Sequence, residues 1–421
     1  MPGFFQQPIS PHLSPNAQGK DIRFALWNIL NVFLWIRWIR GSSVQQLDEW
    51  FKDRYKVGFA RSFDGGRSAL RELFGAIGIS EGDEVIVQGF TCVVVPNAVI
   101  VHGATPVYVD IDETYNMDPH ALQTALQSHA KVRVVVVQHT FGIPADIVKI
   151  RSLCDEFGVL LIEDCAHSLG ATVGGQKVGT FGDAAMFSFG RDKVVSSVSG
   201  GVAITNNPEI GEGLNRTWLG MRNQTFYWVF QRLVHPIIFW KAKHTYYFFS
   251  LGKVSIYVGR WFNILPDVLT TSEKSGEQHS SRRLPNILAR WTLSQLRRLE
   301  EFNTHRRELS ALYEKELSGV EGVSIPISSA IDGAMYLRYS FEVDDSKALL
   351  MSAREDGILL GDWYNTVIGP SDCSLEDVQY VVGSCPVAEN VSSRVVNVPT
   401  SPTTSVADAT YVVSAIKKIL K

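Results

Sequence analysis

The feature that most constrains this chain is a regular alternation of short apolar strands and amphipathic helices between Glu84 and Ile162. Glu84–Gln88 (EVIVQ) reads as a strand, Thr91–His102 as a helix entered through a turn, and Thr105–Asp110 as the next strand. Pro119–Gln127 has helical spacing. The strand Val132–Gln138, the helix Ala145–Phe157 and the strand Val159–Ile162 follow it. Val132–Gln138 (VRVVVVQ) is a nearly continuous β-branched run, which suits a strand covered on both faces. Strands alternating with helices make βαβ units, because a parallel neighbour is reached only by a crossover. The expected fold is therefore α/β with a mainly parallel sheet, and its ligands are expected at the carboxyl ends of the strands.

Two stretches put chemistry at that edge. In LLIEDCAHSLGA (Leu160–Ala171) an apolar strand ends in Glu163-Asp164. In Gly182–Thr205 an apolar strand (Ala184–Phe189) leads into a polar turn carrying Lys193, then a Ser/Gly loop and a second strand, Val202–Thr205. A loop lysine is ordinarily solvated. Held between buried strands, its amine is desolvated, and desolvation lowers a lysine pKa so that the neutral amine can attack a carbonyl. A strand-end acid closely followed by a loop lysine is the pair that pyridoxal phosphate (PLP) chemistry needs: the acid keeps the pyridine nitrogen protonated and the lysine forms a Schiff base. Upstream, SFDGGRSALRELFGAIG places Gly65-Gly66 in a turn and opens a helix at Ser68. Glycines feeding a helix N-terminus offer free N–H groups to an anion, although the same pattern serves an ordinary strand-to-helix turn.

Composition narrows the function classes. The 421 residues are 45% hydrophobic with a net charge of −3, which fits a globular enzyme of two domains and not a nucleic-acid binder, whose overall charge would be basic. The five cysteines (Cys92, Cys154, Cys165, Cys373, Cys385) have no CxxC spacing, and no Cys/His cluster has ligand spacing, so no metal is expected and a reducing cytoplasm is the simplest setting. No signal-peptide pattern is present.

Residues 1–20, rich in Pro, Gln, Ser and Asn, are expected to form a mobile arm. Phe24–Arg40 reads as an apolar helix with Trp and Arg at its C-terminal end, suited either to a bilayer interface or to burial against a partner subunit. Val44–Tyr55 has helical spacing. From Gly213 to Pro266 there is no Asp or Glu, against seven Lys/Arg and fourteen aromatic residues. That segment suits a surface resting on anionic lipid or an extra layer packed on a dimer. A polar linker precedes one long helix drawn from RRLPNILARWTLSQLRRLEEFNTHRRELSALYEKEL, and strands and helices alternate to the end. The expected division is an N-terminal arm with an apolar helix (1–43), a large domain (44–269) with a basic-aromatic insert at about 222–266, and a linker, long helix and small C-terminal domain (270–421).

EDCAHSLGA followed by GDAAMFSFGRDK…SGG resembles the DegT/DnrJ/StrS family of PLP-dependent sugar aminotransferases. The resemblance runs from about Val44 to the C-terminus, apart from the acid-free segment, and includes CPVAEN and NVPTSP. It implies the PLP-dependent transferase fold type I, with a mainly parallel seven-stranded sheet and a small C-terminal α/β domain. It also implies a homodimer that shares its active sites. By the same resemblance Lys193 is the Schiff-base lysine and proton shuttle, Asp164 pairs with the pyridine nitrogen, and His167 bonds the 3-hydroxyl. Ser188 and the turn at Gly66, Arg67 and Ser68 hold the phosphate, and His139 lies under the site. Three positions depart from the pattern. Cys92 follows Thr91 where an aromatic usually stacks on the cofactor, leaving Phe90 as a candidate. Ser199 stands where the glycine turn carries an acid. Ser281, beside Arg282 and Arg283, stands where the partner subunit lends an asparagine to the phosphate, a contact an arginine can supply. The implied reaction moves an amino group from an amino acid, glutamate by expectation, to a nucleotide- or lipid-linked keto-sugar in surface polysaccharide or glycan biosynthesis. The alternatives are a PLP enzyme acting on a non-sugar carbonyl, and a membrane-associated regulatory or scaffold protein that retains the fold.

Overall fold

The computed structural model describes residues 6–14, 16–267, 269–277, 280–325 and 331–421. Seven strands form the main sheet: β1 (Phe59–Phe63), β2 (Glu84–Gln88), β3 (Thr105–Val109), β4 (Val132–Gln138), β5 (Leu160–Asp164), β6 (Ala184–Ser188) and β7 (Gly201–Thr205). Their order is β1-β7-β6-β5-β4-β2-β3. Strand β7 runs antiparallel to both neighbours, and the other adjacent pairs are parallel. The α/β sheet expected from the alternation is thus present, and the β-branched run of β4 lies in its interior, buried except at Arg133.

Helices cover both faces, as a sheet apolar on both sides demands. Gly66–Ile77, Val94–Ile100 and Pro208–Gly220 pack on one face through Leu70, Leu73, Phe74, Val99 and Leu214. Pro119–Ser128 and Ile147–Phe157 cover part of the other through Leu122, Ile150 and Leu153, and Ser43–Tyr55 covers the rest through Leu47 and Phe51. Caps set these helices where the sequence places Asp or Asn before them: Asp118 accepts from the His120 N–H (2.9 Å) and Asp146 from the Lys149 N–H (3.2 Å). A second, antiparallel sheet of β8 (Val323–Ser324), β9 (Arg338–Val343) and β10 (Val395–Pro399) is backed by Leu299–Leu317 and Val406–Ile419.

Three expectations differ from what is found. The described residues of the N-terminal arm are docked: Ile9 bridges Ile358, and Asn16 is 1% exposed with its amide on the Lys193 carbonyl. Phe24–Arg40 is not one helix. Gly19–Leu30 ends at Asn31, whose side chain accepts from the Phe33 N–H, and the chain turns by 92° into Val32–Ile39. The long helix after the linker is two, Asn286–Leu296 and Leu299–Leu317. At their junction the buried carboxylate of Asp21 accepts from Trp291 Nε1 (2.8 Å), Gln295 Nε2 (3.0 Å) and Arg298 Nη2 (3.3 Å).

The acid-free segment forms the helices Phe226–His244 and Leu251–Trp261, packed against each other, with the first also against Gly19–Leu30. Among the described residues no single helix is long and apolar enough to cross a membrane.

Candidate active site

The carboxyl ends of β1, β5 and β6 and the start of β7 share one edge of the sheet, and chain direction alone brings the acid, the lysine loop and the glycine turns together there. In β5, successive side chains face opposite sides. Glu163 turns away from the edge and accepts from the N–H groups of Gly179, Phe181 and Gly182, each at 2.7 Å, which pins the chain entering β6. His139 receives the Ala145 N–H on Nδ1 (3.1 Å), so its proton sits on Nε2 and is donated to Glu163 (3.2 Å). This histidine braces the floor of the edge. With Cys165 it also completes the metal-like cluster found among the described residues, but Glu163 is already saturated by backbone donors and no ion is needed to explain it.

Asp164 is 4% exposed and accepts from the Ala166 N–H (2.9 Å). Burial raises its pKa, while that hydrogen bond and the charge of Lys193 oppose the rise. For Lys193 burial is again the largest influence and lowers the pKa. Cys92, Asp164 and Asp192 oppose it, and Arg338 adds to it. A buried acid and a buried amine, each disfavoured as an ion and each eased by the other, are groups poised to trade protons with a bound molecule. The Ser/Gly loop after Lys193 is not solvated. Ser196 N–H donates to Gln295 Oε1 (2.7 Å), Ser197 Oγ meets Thr292 Oγ1 (2.8 Å), and the buried Arg306 donates to the Val194 carbonyl (2.9 Å) and to Asn16 Oδ1 (2.9 Å).

His167, 2% exposed, accepts the Phe141 N–H on Nδ1 (3.3 Å). Burial, then the charges of Lys193 and Arg338, hold its pKa well below the usual histidine range, so the ring is neutral. At Gly66 a Cβ would lie 2.7 Å from Ser188 Cβ and 2.9 Å from its Oγ, and at Gly201 it would lie 2.6 Å from Gly66 Cα. The missing side chains let the N-terminus of Gly66–Ile77 sit directly on β6 and β7, with Ser188 beside it. Ser68 spends its hydroxyl on Asp64 (2.6 Å), and Arg67 pairs with Glu273, so what the turn offers an anion is its backbone N–H groups.

The other positions singled out from the sequence are placed as follows. Cys92 is half-buried and close enough to Lys193 and Asp164 to shift with them. Phe90 is fully buried, edge-on to Phe141 and Tyr364. Among the described residues Ser281 Oγ is buried without a hydrogen-bond partner, and Arg283 donates to the Trp218 (3.0 Å) and Leu219 (2.5 Å) carbonyls at the end of Pro208–Gly220.

Sequence reasoning missed the groups that the C-terminal part sends into this site. Trp363 lies nearly parallel to His167 (5.6 Å, 14°), Tyr364 stacks beside it, and Arg338 covers the Trp363 ring at 3.5 Å. Arg338 is buried and, among the described residues, bonds His12 Nδ1 (3.4 Å) and Asn397 Oδ1 (3.5 Å), and burial lowers its pKa to about 10. The one signal in the sequence was an aromatic pair, Trp363-Tyr364, flanked directly by Asp362 and Asn365.

The residues present fit PLP. The close packing of Gly66 on Ser188 sets a helix N-terminus with free N–H groups beside a serine hydroxyl, a buried acid stands at a strand end, and a desolvated amine lies near enough to act on it. Solved structures share the fold: an aminotransferase of Brucella abortus superposes with a TM-score of 0.73 over 95% of each chain at 22% identity. NtdA of Bacillus subtilis, described with bound PMP, superposes with a TM-score of 0.76 over 100% of this chain and 86% of its own at 17% identity. The architecture is that of the PLP-dependent aminotransferases. Residues 28–232 and 268–417 match the sequence profile of the DegT/DnrJ/EryC1/StrS aminotransferase family, and the chain belongs to that family. It is similar to a GDP-perosamine synthase of Vibrio cholerae, 35% identical over 47% of this chain and 53% of that enzyme, and to one of Escherichia coli O157:H7, 27% identical over 74% and 72%. A UDP-N-acetyl-3-dehydro-alpha-D-glucosamine 3-aminotransferase of Acidithiobacillus ferrooxidans is 27% identical over 84% of this chain and 82% of its own.

Proposed function

We propose that this chain aminates a keto-sugar carried on a nucleotide, taking the amino group from an amino acid, glutamate by expectation, in polysaccharide or glycan biosynthesis. The observation that carries this is buried Asp164 and the half-buried, desolvated Lys193 placed together at the carboxyl edge of the sheet. The relatives named for GDP- and UDP-linked sugars give the substrate class. When bound, PLP supplies an electron sink for the Cα–H bond of the donor. Asp164 would hold the proton of the pyridine nitrogen, the Gly66–Ser68 turn and Ser188 would hold the phosphate, and neutral His167 would orient the ring. Lys193 Nζ would take and return the proton that moves during transfer, a role its lowered pKa favours. Trp363 and the docked N-terminal arm exclude water. Incubating the enzyme and an amino donor with a panel of keto-sugar nucleotides tests the reading. An amino-sugar product from one of them is the expected result, and turnover of none under conditions where the donor half-reaction runs would overturn it.

Two further features belong to this proposal. The chain works as a cytoplasmic homodimer, and the buried, unpartnered Ser281 hydroxyl suits a position that meets a second subunit. The helices Gly19–Leu30, Phe226–His244 and Leu251–Trp261, which pack side by side, expose Trp27 (65%), Phe33 just beyond the first, Tyr257 and Trp261 (72%), with Lys253 and Arg260 among them. Aromatic and basic groups without acids suit the interface of an anionic bilayer. Flotation with anionic vesicles that is lost at high salt is expected, and a protein that stays behind at low salt would remove the membrane half.

A further inference from the structure

Asn16 belongs to the N-terminal arm, ahead of the first stretch that matches the family profile. Its side-chain amide donates to the Lys193 carbonyl, and its Oδ1 accepts from Arg306 Nη2 (2.9 Å). The same Nη2 donates to the Val194 carbonyl (2.9 Å), while Nη1 of Arg306 donates to Asn303 Oδ1 (3.1 Å). Asn303 donates in turn from Nδ2 to the Leu169 carbonyl (3.1 Å). Leu169 ends the turn that leaves β5 after Asp164 and carries His167, a turn closed by the Ser168 N–H on the Cys165 carbonyl (3.2 Å). One chain of hydrogen bonds thus runs from the backbone of the lysine, through Asn16, Arg306 and Asn303, to the turn beyond the acid.

Each member of this chain is itself held. Asn303 and Arg306 are fully buried and stand one turn apart on the helix Leu299–Leu317, so the helix fixes their spacing. Among the described residues Arg306 has no ion pair, and burial lowers its pKa to about 9, which leaves it charged at neutral pH. Its charge goes to neutral oxygens, and hydrogen bonds from an ionised donor are roughly twice as strong as those between neutral groups. Asn16 is anchored on both sides. Before it, the Ile9 N–H donates to the Gly357 carbonyl (3.2 Å) and the Ile9 carbonyl receives the Leu359 N–H (2.8 Å). After it, Gln18 Oε1 accepts from Arg298. The position needs a donor for one carbonyl and an acceptor for a guanidinium from the same group, which a side-chain amide supplies. Lys193 has a long flexible side chain, so the place of its amine beside Asp164 and the Trp363 ring depends on a fixed backbone. The Lys193 N–H is held by the Gly190 carbonyl (3.3 Å), and its carbonyl is held by Asn16.

We propose that Asn16 is a positioning residue for the lysine that takes the cofactor: with Arg306 and Asn303 it clamps the Lys193 turn to the turn that follows Asp164. The inference rests on the reading of Lys193 as that lysine. Stopped-flow capture of PLP by the cofactor-free enzyme, measured across pH and followed by borohydride and peptide mass, tests the clamp without turnover. In Asn16→Ala the freed turn lets water reach the amine. The capture rate is expected to reach its plateau about one pH unit higher, and to be about tenfold lower near neutral pH. Gln18→Ala loosens the arm at its next anchor and leaves the Lys193 turn alone, so the wild-type profile is expected; a role confined to docking the arm would move both variants alike. Asn303→Ala breaks the same chain at its other end and is expected to move the profile in the same direction as Asn16→Ala. An unshifted profile in folded Asn16→Ala, or an equal shift in Gln18→Ala, would overturn the clamp. Should Asn16→Ala not fold, Asn303→Ala decides alone: a shift supports the clamp and no shift overturns it. PLP fixed to another lysine in the wild type overturns the clamp together with the reading beneath it, whereas PLP on Lys193 with an unshifted Asn16→Ala overturns the clamp alone.

Discussion

The amine of Lys193 lies 5.2 Å from the centre of the Trp363 ring, a contact between the loop after β6 and the C-terminal part of the chain. The indole takes the place of water on that side of the amine, and its other contacts, His167 and Arg338, fix it there. Desolvation is the largest influence lowering the Lys193 pKa. Trp363→Ala is therefore expected to let water in and move the pKa back up toward the ordinary 10.5. Each unit of rise lowers the neutral fraction near pH 8 about tenfold. Stopped-flow capture of PLP by the cofactor-free enzyme reads this directly. The variant is expected to reach its plateau rate at a higher pH than the wild type, and an unshifted profile would show that Trp363 does not set the amine.

Lys193→Ala is expected to leave the fold intact and abolish turnover. Borohydride reduction of the PLP-loaded wild type should fix the cofactor to Lys193, as read by peptide mass. A label on another lysine would reassign the site.

Asp164→Asn keeps the size of the side chain and removes its charge. A loss of two or more orders of magnitude in kcat is expected, about 3 kcal/mol of transition-state stabilisation. Near-normal turnover would mean that the acid does not serve the cofactor ring.

What could be read in the sequence was whatever depends on neighbours in the chain. The β-branched run of Val132–Gln138 and the apolar strand ending at Asp164 declare a covered parallel sheet, and β-strand direction then puts Asp164 and the Lys193 loop at one edge. The rest depends on contacts between distant residues. Trp363 and Arg338 reach the site from more than a hundred residues downstream and carry no period to detect. The docked arm escaped because a Pro/Ser/Asn-rich stretch looks unstructured until its Asn16 amide finds the Lys193 carbonyl. The bend after Leu30 escaped because a helix apolar on all sides has no stripe whose interruption would mark a break. Its stop is the single Asn31 cap.

His167 is neutral in the folded chain, with a pKa well below 6.5. In the unfolded chain it takes up a proton as pH falls through its ordinary value. Below about pH 6.5 the unfolded state then binds the extra proton, and the folded state loses about 1.4 kcal/mol per pH unit from this residue until its own low pKa is reached. His12 and His235 are lowered in the same way and add to the loss, whereas the raised pKa of Asp48, about 7, works against it. The difference between wild type and His167→Gln isolates the one residue. Urea titrations of cofactor-free protein at pH 7.5 and 5.5 should show the wild type losing about 1 kcal/mol more than the variant over that interval. Equal losses would place the His167 proton elsewhere.

The close approach of Gly66 to Ser188 gives the last prediction. A methyl group at position 66 would lie 2.7 Å from Ser188 Cβ, 2.9 Å from its Oγ and 3.3 Å from Met186 Cε, so either the helix start or the end of β6 has to move. Neither is free to do so. The helix is packed on the sheet through Leu70, Leu73 and Phe74, and β6 is held by β5 and β7 on its two sides. Gly66→Ala is expected to destabilise the fold by about 1–3 kcal/mol, the usual cost of overpacking. It is also expected to weaken PLP binding by more than that loss explains, because the displaced N–H groups are those proposed to hold the phosphate. Ser188→Gly removes the atoms that the new methyl strikes. Combined with Gly66→Ala it should recover most of the stability but not the PLP affinity, since the Ser188 hydroxyl is lost with the clash. Urea unfolding and PLP titration of the four proteins in the cycle separate the two effects. If the double variant regains neither stability nor affinity, the contact between residues 66 and 188 is not what sets the helix on the strand.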